Sequence, residues 1–245
     1  MARAALSVGV VTVWQQARLV ERLRETDSAV TLVFEPEEWS GHLAGQHADI
    51  RLTADDGYQA VRSYSLAGPV EEGRVVFTVQ RVLGGEVSTY LCDDLPVGAY
   101  VEVRGPVGGW FVWRGTDTRP VMLLAGGSGI VPLQAMVRQR RALGSRVPFR
   151  LLYSVRTPED VIYADELARP EGGVDVAVRY TREAPPGARR APRRLGLVDL
   201  NTHGWPAEFE PMCFVCGPNG FVEAAANMLI TLGHDRHRIK TERFG

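Results

Sequence analysis

The sequence predicts two domains of different class, an antiparallel β-barrel followed by an α/β unit built on a parallel sheet. Three observations carry this. The first half holds six short β-branched or alternating runs, broken by Gly- and Asp-rich turns and without a long helical pattern. From Val121 onward, apolar strands alternate with helical runs, the pattern of a parallel sheet covered on both faces. Between them, Gly108 to Pro120 follows neither pattern, with Gly109, Trp110, Trp113, Gly115 and the turn Asp117-Thr118-Arg119-Pro120. The boundary is therefore placed near Arg114 to Arg119, giving domains of residues 1–115 and 116–245. A chain of 245 residues has room for two domains of ordinary size.

In chain order, the expected strands of the first half are Val8 to Trp14, Val30 to Phe34, His47 to Leu52, Arg62 to Leu66, Val75 to Val82 and Tyr100 to Val103. Gly41, Gly45 and Asp55-Asp56-Gly57 punctuate them. The helix-like stretch here is short, from Val87 to Asp94, with Ser88 and Thr89 near its start. In the second half, Val121 to Ala125 is a continuous apolar strand, and Val131 to Leu143 has helical spacing. Phe149 to Val155, Val174 to Tyr180 and Met212 to Val215 read as further strands. Ile162 to Leu167 reads as a short helix and Phe221 to Leu232 as a long amphipathic one. Thr181 to Leu195 is rich in Arg, Pro and Ala, has no periodicity, and reads as a long loop.

The bulk numbers exclude several function classes. Hydrophobic residues make up 45% of the chain, too many for disorder. The net charge is -1, from 28 basic and 29 acidic residues, so nothing global favours nucleic acid or an anionic membrane. No apolar run approaches a membrane span, and Met1 to Val20 lacks the layout of a secretion signal. A cytoplasmic protein is expected. Three cysteines, Cys92, Cys213 and Cys216, supply neither a disulfide framework nor the four thiolates of an iron–sulfur cluster. Cys213 and Cys216 have CxxC spacing, but no second pair or His cluster accompanies them, so no metal site is expected.

Five stretches carry candidate chemistry. Arg62-Ser63-Tyr64-Ser65 offers a planar cation for phosphate, a ring for stacking and a hydroxyl for a ring nitrogen, a set that suits a flavin nucleotide. Alone, it reads equally as an ordinary strand with a surface Arg. Gly126-Gly127-Ser128-Gly129-Ile130-Val131-Pro132 follows an apolar strand and opens a helix, where glycines and free amides can cradle a pyrophosphate. Pro132 stands where a dinucleotide fingerprint has its third glycine, and Pro suits a first helical turn. The alternative is a Gly-rich turn without a ligand.

About 20 residues past those glycines, where an acid would bind the ribose of NAD, the chain reads Ser154-Val155-Arg156. With Arg182 after the next strand, this chemistry fits a 2′-phosphate and favours NADPH over NADH, unless both arginines are merely solvated. Gly84-Gly85-Glu86-Val87-Ser88-Thr89 is a second phosphate cradle, or an ordinary capped helix start. Cys216-Gly217-Pro218 ends the last strand before a long helix, at the strand end where open α/β sheets bind ligands, while Cys213 belongs to the strand interior. Glu242 and Phe244 lie at the extreme end, in what reads as a short final strand.

Taken in order, these pieces resemble the ferredoxin–NADP reductase superfamily, along the whole chain. Gly45-Gln46-His47 is similar to its GQ(Y/H) strand and Arg62-Ser63-Tyr64-Ser65 to its RxY(S/T) flavin motif. Gly85 to Thr89 resembles the GGxxST turn, and Gly105-Pro106-Val107-Gly108 the GPxG turn. Gly126 to Pro132 resembles the GGxGxxP nucleotide loop, Cys216-Gly217-Pro218 the CGP motif and Glu242-Arg243-Phe244 the closing ExF/Y.

The resemblance implies a flavoenzyme with FAD on the barrel and NADPH or NADH on the α/β domain. Arg62 would bind FAD phosphate, Tyr64 would lie along the isoalloxazine, and Ser65 would approach flavin N5. Gly85, Val87, Ser88 and Thr89 would hold the diphosphate. Cys216 and Glu242 would line the meeting place of nicotinamide and flavin, and Phe244 would shield the other ring face. Many relatives carry a fused [2Fe–2S] domain, and the expectation is that this chain, without such a Cys-rich segment, passes electrons to a separate acceptor. That acceptor is expected to be a protein with iron–sulfur, haem or molybdenum chemistry, served by a monomeric reductase. Arg138, Arg140 and Arg141, with Arg189, Arg190, Arg193 and Arg194, could dock an acidic carrier, but for most of them an ordinary solvated surface is the favoured reading. The rival expectations are a flavin or quinone reductase without a protein partner, and an FAD-holding regulatory subunit without turnover.

Overall fold

The computed structural model describes residues 13–69, 73–188 and 190–244. In the first half, β1 (Gln15–Arg24), β2 (Ala29–Pro36), β3 (His47–Thr53), β4 (Gln59–Ser65), β5 (Val75–Gln80) and β6 (Tyr100–Val107) form one antiparallel sheet. Their order is β4-β3-β6-β1-β2-β5, and a bridge between Leu66 and Phe77 brings the two edges together into a barrel. Alternate side chains fill it, among them Leu19, Leu32, Phe34, Ile50, Phe77 and Val103. Helix α1 (Glu86–Thr89) runs on into a wider turn, Tyr90–Asp94, and plugs one end with Val87 and Leu91.

The expected strand Val8 to Trp14 lies largely outside the described residues. The first strand observed, β1, was not expected. It buries Ala17 and Leu19 but carries Arg18, Glu21, Arg22 and Arg24 outward, and its register slips between Leu19 and Glu21. That slip blurs the two-residue alternation by which a half-buried strand is recognised.

In the second half, β7 (Val121–Gly126), β8 (Phe149–Val155), β9 (Val174–Tyr180), β10 (Met212–Pro218) and β11 (Ile239–Phe244) form a parallel sheet of order β11-β10-β7-β8-β9. β7 and β10 lie side by side at its centre, and the chain moves away from them in opposite directions. This is the topological switch point, where strand ends open a ligand crevice. Around the sheet stand α2 (Ile130–Ala142), α3 (Ala164–Leu167), α4 (Leu197–His203) and α5 (Asn219–Thr231). α4 also went unexpected. It is a short helix that buries Leu200 in the core and is capped by Asp199, which accepts the Gly196 N–H at 3.0 Å. No helix among the described residues is long and apolar enough to cross a membrane.

The halves are not separately packed. Ala29, Ala44, Ala67, Phe111 and Trp113 join the cluster formed by Ile130, Leu133, Met136, Phe149 and Phe214. Trp113 meets Phe149 edge-on, with centroids 5.1 Å apart. Gly45 marks the tightest approach: a Cβ there would lie 1.9 Å from the Phe111 carbonyl oxygen, and its φ of +99° is open to glycine.

Candidate active site

On β4, alternation splits the flavin-like motif between two faces. Arg62 and Tyr64 pair in register with Ile50 and Ala48, and Ser63 and Ser65 with Asp49 and His47. Arg62 is exposed; Nη1 donates to the Val61 carbonyl at 2.7 Å, and among the described residues it makes no ion pair. Its remaining donors are free for a phosphate. Tyr64 is half-buried, and burial pushes its hydroxyl well above the usual phenol range. Ser63 donates to Asp49 Oδ1 at 2.6 Å, and Asp49 also accepts from Arg104 at 2.7 Å. Ser63 is exposed, and this bond ties its hydroxyl back to the barrel wall.

At the second cradle, Ser88 Oγ accepts the Val82 N–H at 3.1 Å, and a Cβ on Gly85 would lie 2.7 Å from it. Ser88 therefore closes the turn, Val87 is buried in the barrel, and Thr89 is half-buried on α1. The first amides of α1, which have no intrahelical acceptor, remain as donors.

The third cradle is built by close packing. Gly127 has φ +55° and faces open space. Ser128 follows in the tight turn, and Pro132 stands in the first turn of α2, where no N–H is needed. A Cβ on Gly129 would lie 2.2 Å from the Cys216 carbonyl oxygen, so the loop rests directly on the end of β10. Cβ atoms on Gly126 and on Gly217 would both lie 2.7 Å from the Phe221 ring. Phe221 thus fills the mouth of the switch-point crevice. Sequence reasoning had not singled it out, and its one signal was its place directly after Cys216-Gly217-Pro218-Asn219-Gly220.

Ser154 pairs with Gly126 at the buried end of β8. Beyond it, the Arg182 N–H donates to the Arg156 carbonyl at 2.9 Å, setting the two expected arginines side by side. Both are exposed, and among the described residues neither makes an ion pair.

The cradles meet at one contact. Ser65 Oγ donates to Glu242 Oε1 at 3.3 Å, joining the barrel motif to the chain end across 177 residues. Register places Cys216 beside Glu242 and Pro218 beside Phe244, which is exposed. Burial pushes the Glu242 carboxyl up to about 7, against the opposing pull of the Ser65 hydrogen bond. Cys216 is 1% exposed; burial, and then the charge of Glu242, hold its thiol well above the ordinary range. It is a neutral thiol in the crevice wall, not an exposed nucleophile. Cys213 lies in the strand interior as expected.

Most of the candidate docking arginines are paired within the chain. Arg138 and Arg141 both bind Glu166, and Arg140 and Arg141 both bind Glu171. Arg140 is itself buried, donating to the carbonyls of Val147 and Gly172. Arg190 and Arg193 lie 2.9 and 3.9 Å from Asp199, which pins their loop. Arg194 is exposed, and Arg189 lies outside the described residues.

Residues 16–112 match the model of the oxidoreductase FAD-binding domain, and residues 123–227 that of the oxidoreductase NAD-binding domain. The chain is 33% identical over 242 residues to the ferredoxin–NAD(P)(+) reductase component of a naphthalene 1,2-dioxygenase/salicylate 5-hydroxylase system from Ralstonia sp, covering 94% of this chain and 66% of that protein. It is 26% identical to the reductase component of propane 2-monooxygenase from Rhodococcus jostii, covering 89% and 60%. It thus spans about two thirds or less of these relatives' own length. Among solved structures, the FAD/NAD-binding domain of nitric oxide dioxygenase from Vibrio cholerae matches with a TM-score of 0.84 and 26% identity, covering 94% of this chain and 98% of that one.

Proposed function

The chain belongs to the ferredoxin–NADP reductase superfamily of FAD- and NAD(P)-dependent oxidoreductases, and we propose that it is the reductase of a system whose electron acceptor is a separate protein. The observation that carries this reading is the Ser65–Glu242 hydrogen bond, which brings the flavin motif and the nicotinamide crevice to a single point. The reductase components among its relatives support an iron–sulfur protein or an oxygenase component as the acceptor. We assign residues 1–115 to the FAD half and 116–245 to the nicotinamide half, in a monomeric, cytoplasmic protein.

FAD, when bound, supplies the chemistry: hydride uptake from the nicotinamide, then release of electrons one at a time. The residues present fit both cofactors. Arg62 and the first amides of α1 would hold the FAD diphosphate, with Gly85 and Thr89 at the turn. Val87 and Ser88 support that turn from behind, and Ser63 stiffens the strand through Asp49. Tyr64 offers the flat surface along the isoalloxazine, and Ser65 the hydroxyl for its N5 edge. Gly127, Ser128, Gly129 and Pro132 would cradle the dinucleotide pyrophosphate, and Gly217 and Pro218 shape the crevice beside it. Arg156 and Arg182, with Ser154 beneath, would grip a 2′-phosphate. Phe244 covers the outer edge.

Cys216 positions: a buried neutral thiol fills the crevice wall without placing charge against a cationic ring. Glu242, its carboxyl raised to about 7, exchanges its proton near neutral pH and accepts a hydrogen bond from Ser65 Oγ. That pair can take up or give up charge as the electron count of the site changes. Together the two halves orient the reactants and keep water out.

Stopped-flow reduction of the bound flavin by NADPH and by NADH tests the assignment, with Ser65→Ala beside the wild type. Full FAD content with slowed reduction supports the role of Ser65. Unchanged reduction removes that role. A flavin that NAD(P)H does not bleach would leave only an FAD-holding subunit. Reduction of free FMN or quinones, with no gain from any added electron-carrier protein, would point to a partner-free reductase.

A further inference from the structure

A buried network of polar contacts between the two halves lies away from the cradles, and one helix links it to them. Tyr163 begins α3 in the left-handed region, with φ +63°, a conformation that a bulky residue adopts at a cost. Its hydroxyl donates to Thr78 Oγ1 at 2.5 Å. Thr78 and Thr31 are in register on β5 and β2, with their hydroxyls 2.8 Å apart, and Thr31 Oγ1 donates to Glu25 Oε1 at 2.6 Å. Each hydroxyl has one proton, so the direction is fixed: Tyr163 to Thr78 to Thr31 to Glu25. The other oxygen, Glu25 Oε2, accepts the backbone N–H of Tyr163 at 3.2 Å. The ring of hydrogen bonds therefore closes on the residue where it began. Tyr163, Thr31 and Thr78 are all buried, and such a closed chain holds its members in one arrangement.

Arg138, on α2, completes the joint. Its guanidinium lies over the Tyr163 ring at 4.4 Å and holds Glu166 with two nitrogens. Nη1 donates to the Ala67 carbonyl at 2.7 Å. Ala67 is two residues beyond Ser65. The same helix opens at Ile130, directly after the Gly127–Gly129 turn, so roughly 12 Å of helix separates the dinucleotide cradle from the bond to the flavin strand.

We propose that Arg138 and Tyr163 are positioning residues for hydride transfer, which use helix α2 as a rigid spacer to set the flavin strand against the nicotinamide cradle. The idea rests on the placement of FAD at Arg62–Ser65 argued above. Neither residue touches a cofactor in this role. Lys at 138 would keep the charge but lack the fork that serves Glu166 and Ala67 together. Phe at 163 would keep the ring and break the hydrogen-bond circuit at its donor.

The test is anaerobic stopped-flow reduction of the FAD holoenzyme at saturating NADPH, with rates expressed per bound flavin, for Arg138→Lys and Tyr163→Phe. An ångström of misplacement can cost about 100-fold in rate. The expected result is a maximal reduction rate lowered at least about tenfold, with the Kd for NADP+ and the FAD content unchanged. A merely structural role predicts a lower Tm or lost FAD but a full rate per bound flavin, and that result in both variants would overturn the proposal. Arg62→Ala separates this from the flavin placement. If it binds FAD as the wild type does while the two variants are slow, the placement fails. If it loses FAD and the two variants run at full rate, the positioning role fails.

Discussion

Replacing Glu242 with Gln tests the electrostatics of the cleft. In the folded chain, burial raises this carboxyl from 4.5 to about 7. Between those values the folded protein keeps a proton that the unfolded chain has released. Stability therefore falls as pH rises through the window and levels off above it. At about 1.4 kcal/mol per unit, the whole window is worth at most about 3 kcal/mol, and residual exposure of the side chain reduces this. Gln has nearly the same shape, keeps an oxygen for Ser65 Oγ, and does not titrate. The stability of the variant relative to the wild type should thus climb by up to about 3 kcal/mol between roughly pH 5 and pH 8. Urea unfolding of the FAD-free protein across that range reads the difference, with equal m-values as the check that both chains unfold alike. A difference that stays level with pH would mean that Glu242 titrates as an ordinary carboxyl, and its proton-holding role would be withdrawn.

Three further outcomes are expected. Arg62→Ala should weaken FAD binding by roughly 10- to 100-fold, the worth of one or two charge-assisted hydrogen bonds, and should be seen as loss of yellow colour on gel filtration; a variant that stays fully loaded on dilution contradicts the phosphate role. Arg156→Ala and Arg182→Ala should each raise KM for NADPH and leave NADH nearly untouched, so an unchanged ratio of the two cofactors removes the 2′-phosphate assignment. Gly129→Ala should cost about 1–3 kcal/mol through overlap with the Cys216 carbonyl, and Gly127→Ala, in open space, about 1–2 kcal/mol of backbone strain; a Gly129→Ala variant that melts with the wild type would show that the loop is not packed on β10.

How far the chain was legible depended on where its signals lay. The middle of the second sheet was plain because β7, β8 and β10 are mostly buried and read as apolar runs, as in Val121 to Ala125. β1 escaped because only Ala17 and Leu19 mark its inner face, and α4 because a helix of seven residues shows too little periodicity. The cradles were visible because glycine is required wherever backbone packs on backbone, as Gly129 does on Cys216. The joint of Glu25, Thr31, Thr78 and Tyr163 was invisible: its members are ordinary residues up to 138 positions apart, brought together only by the docking of the halves. The pairing of the arginines was hidden because charge is countable in a sequence and pairing is not. Glu166 and Glu171, which satisfy Arg138, Arg140 and Arg141, lie on the far side of a whole strand.

The division of labour between two nucleotide sites does not extend to the core. Phe111 and Trp113 follow the barrel in the chain but are buried in the cluster that fills the α/β half. A protease nick at exposed Arg114 would sever the backbone and leave that core shut, with the fragments held together. Either half made alone would turn a face of alanine, phenylalanine and tryptophan toward water, a patch prone to self-association. The unit that melts is thus larger than the unit that binds each nucleotide, and a ligand that steadies one half protects the other from heat.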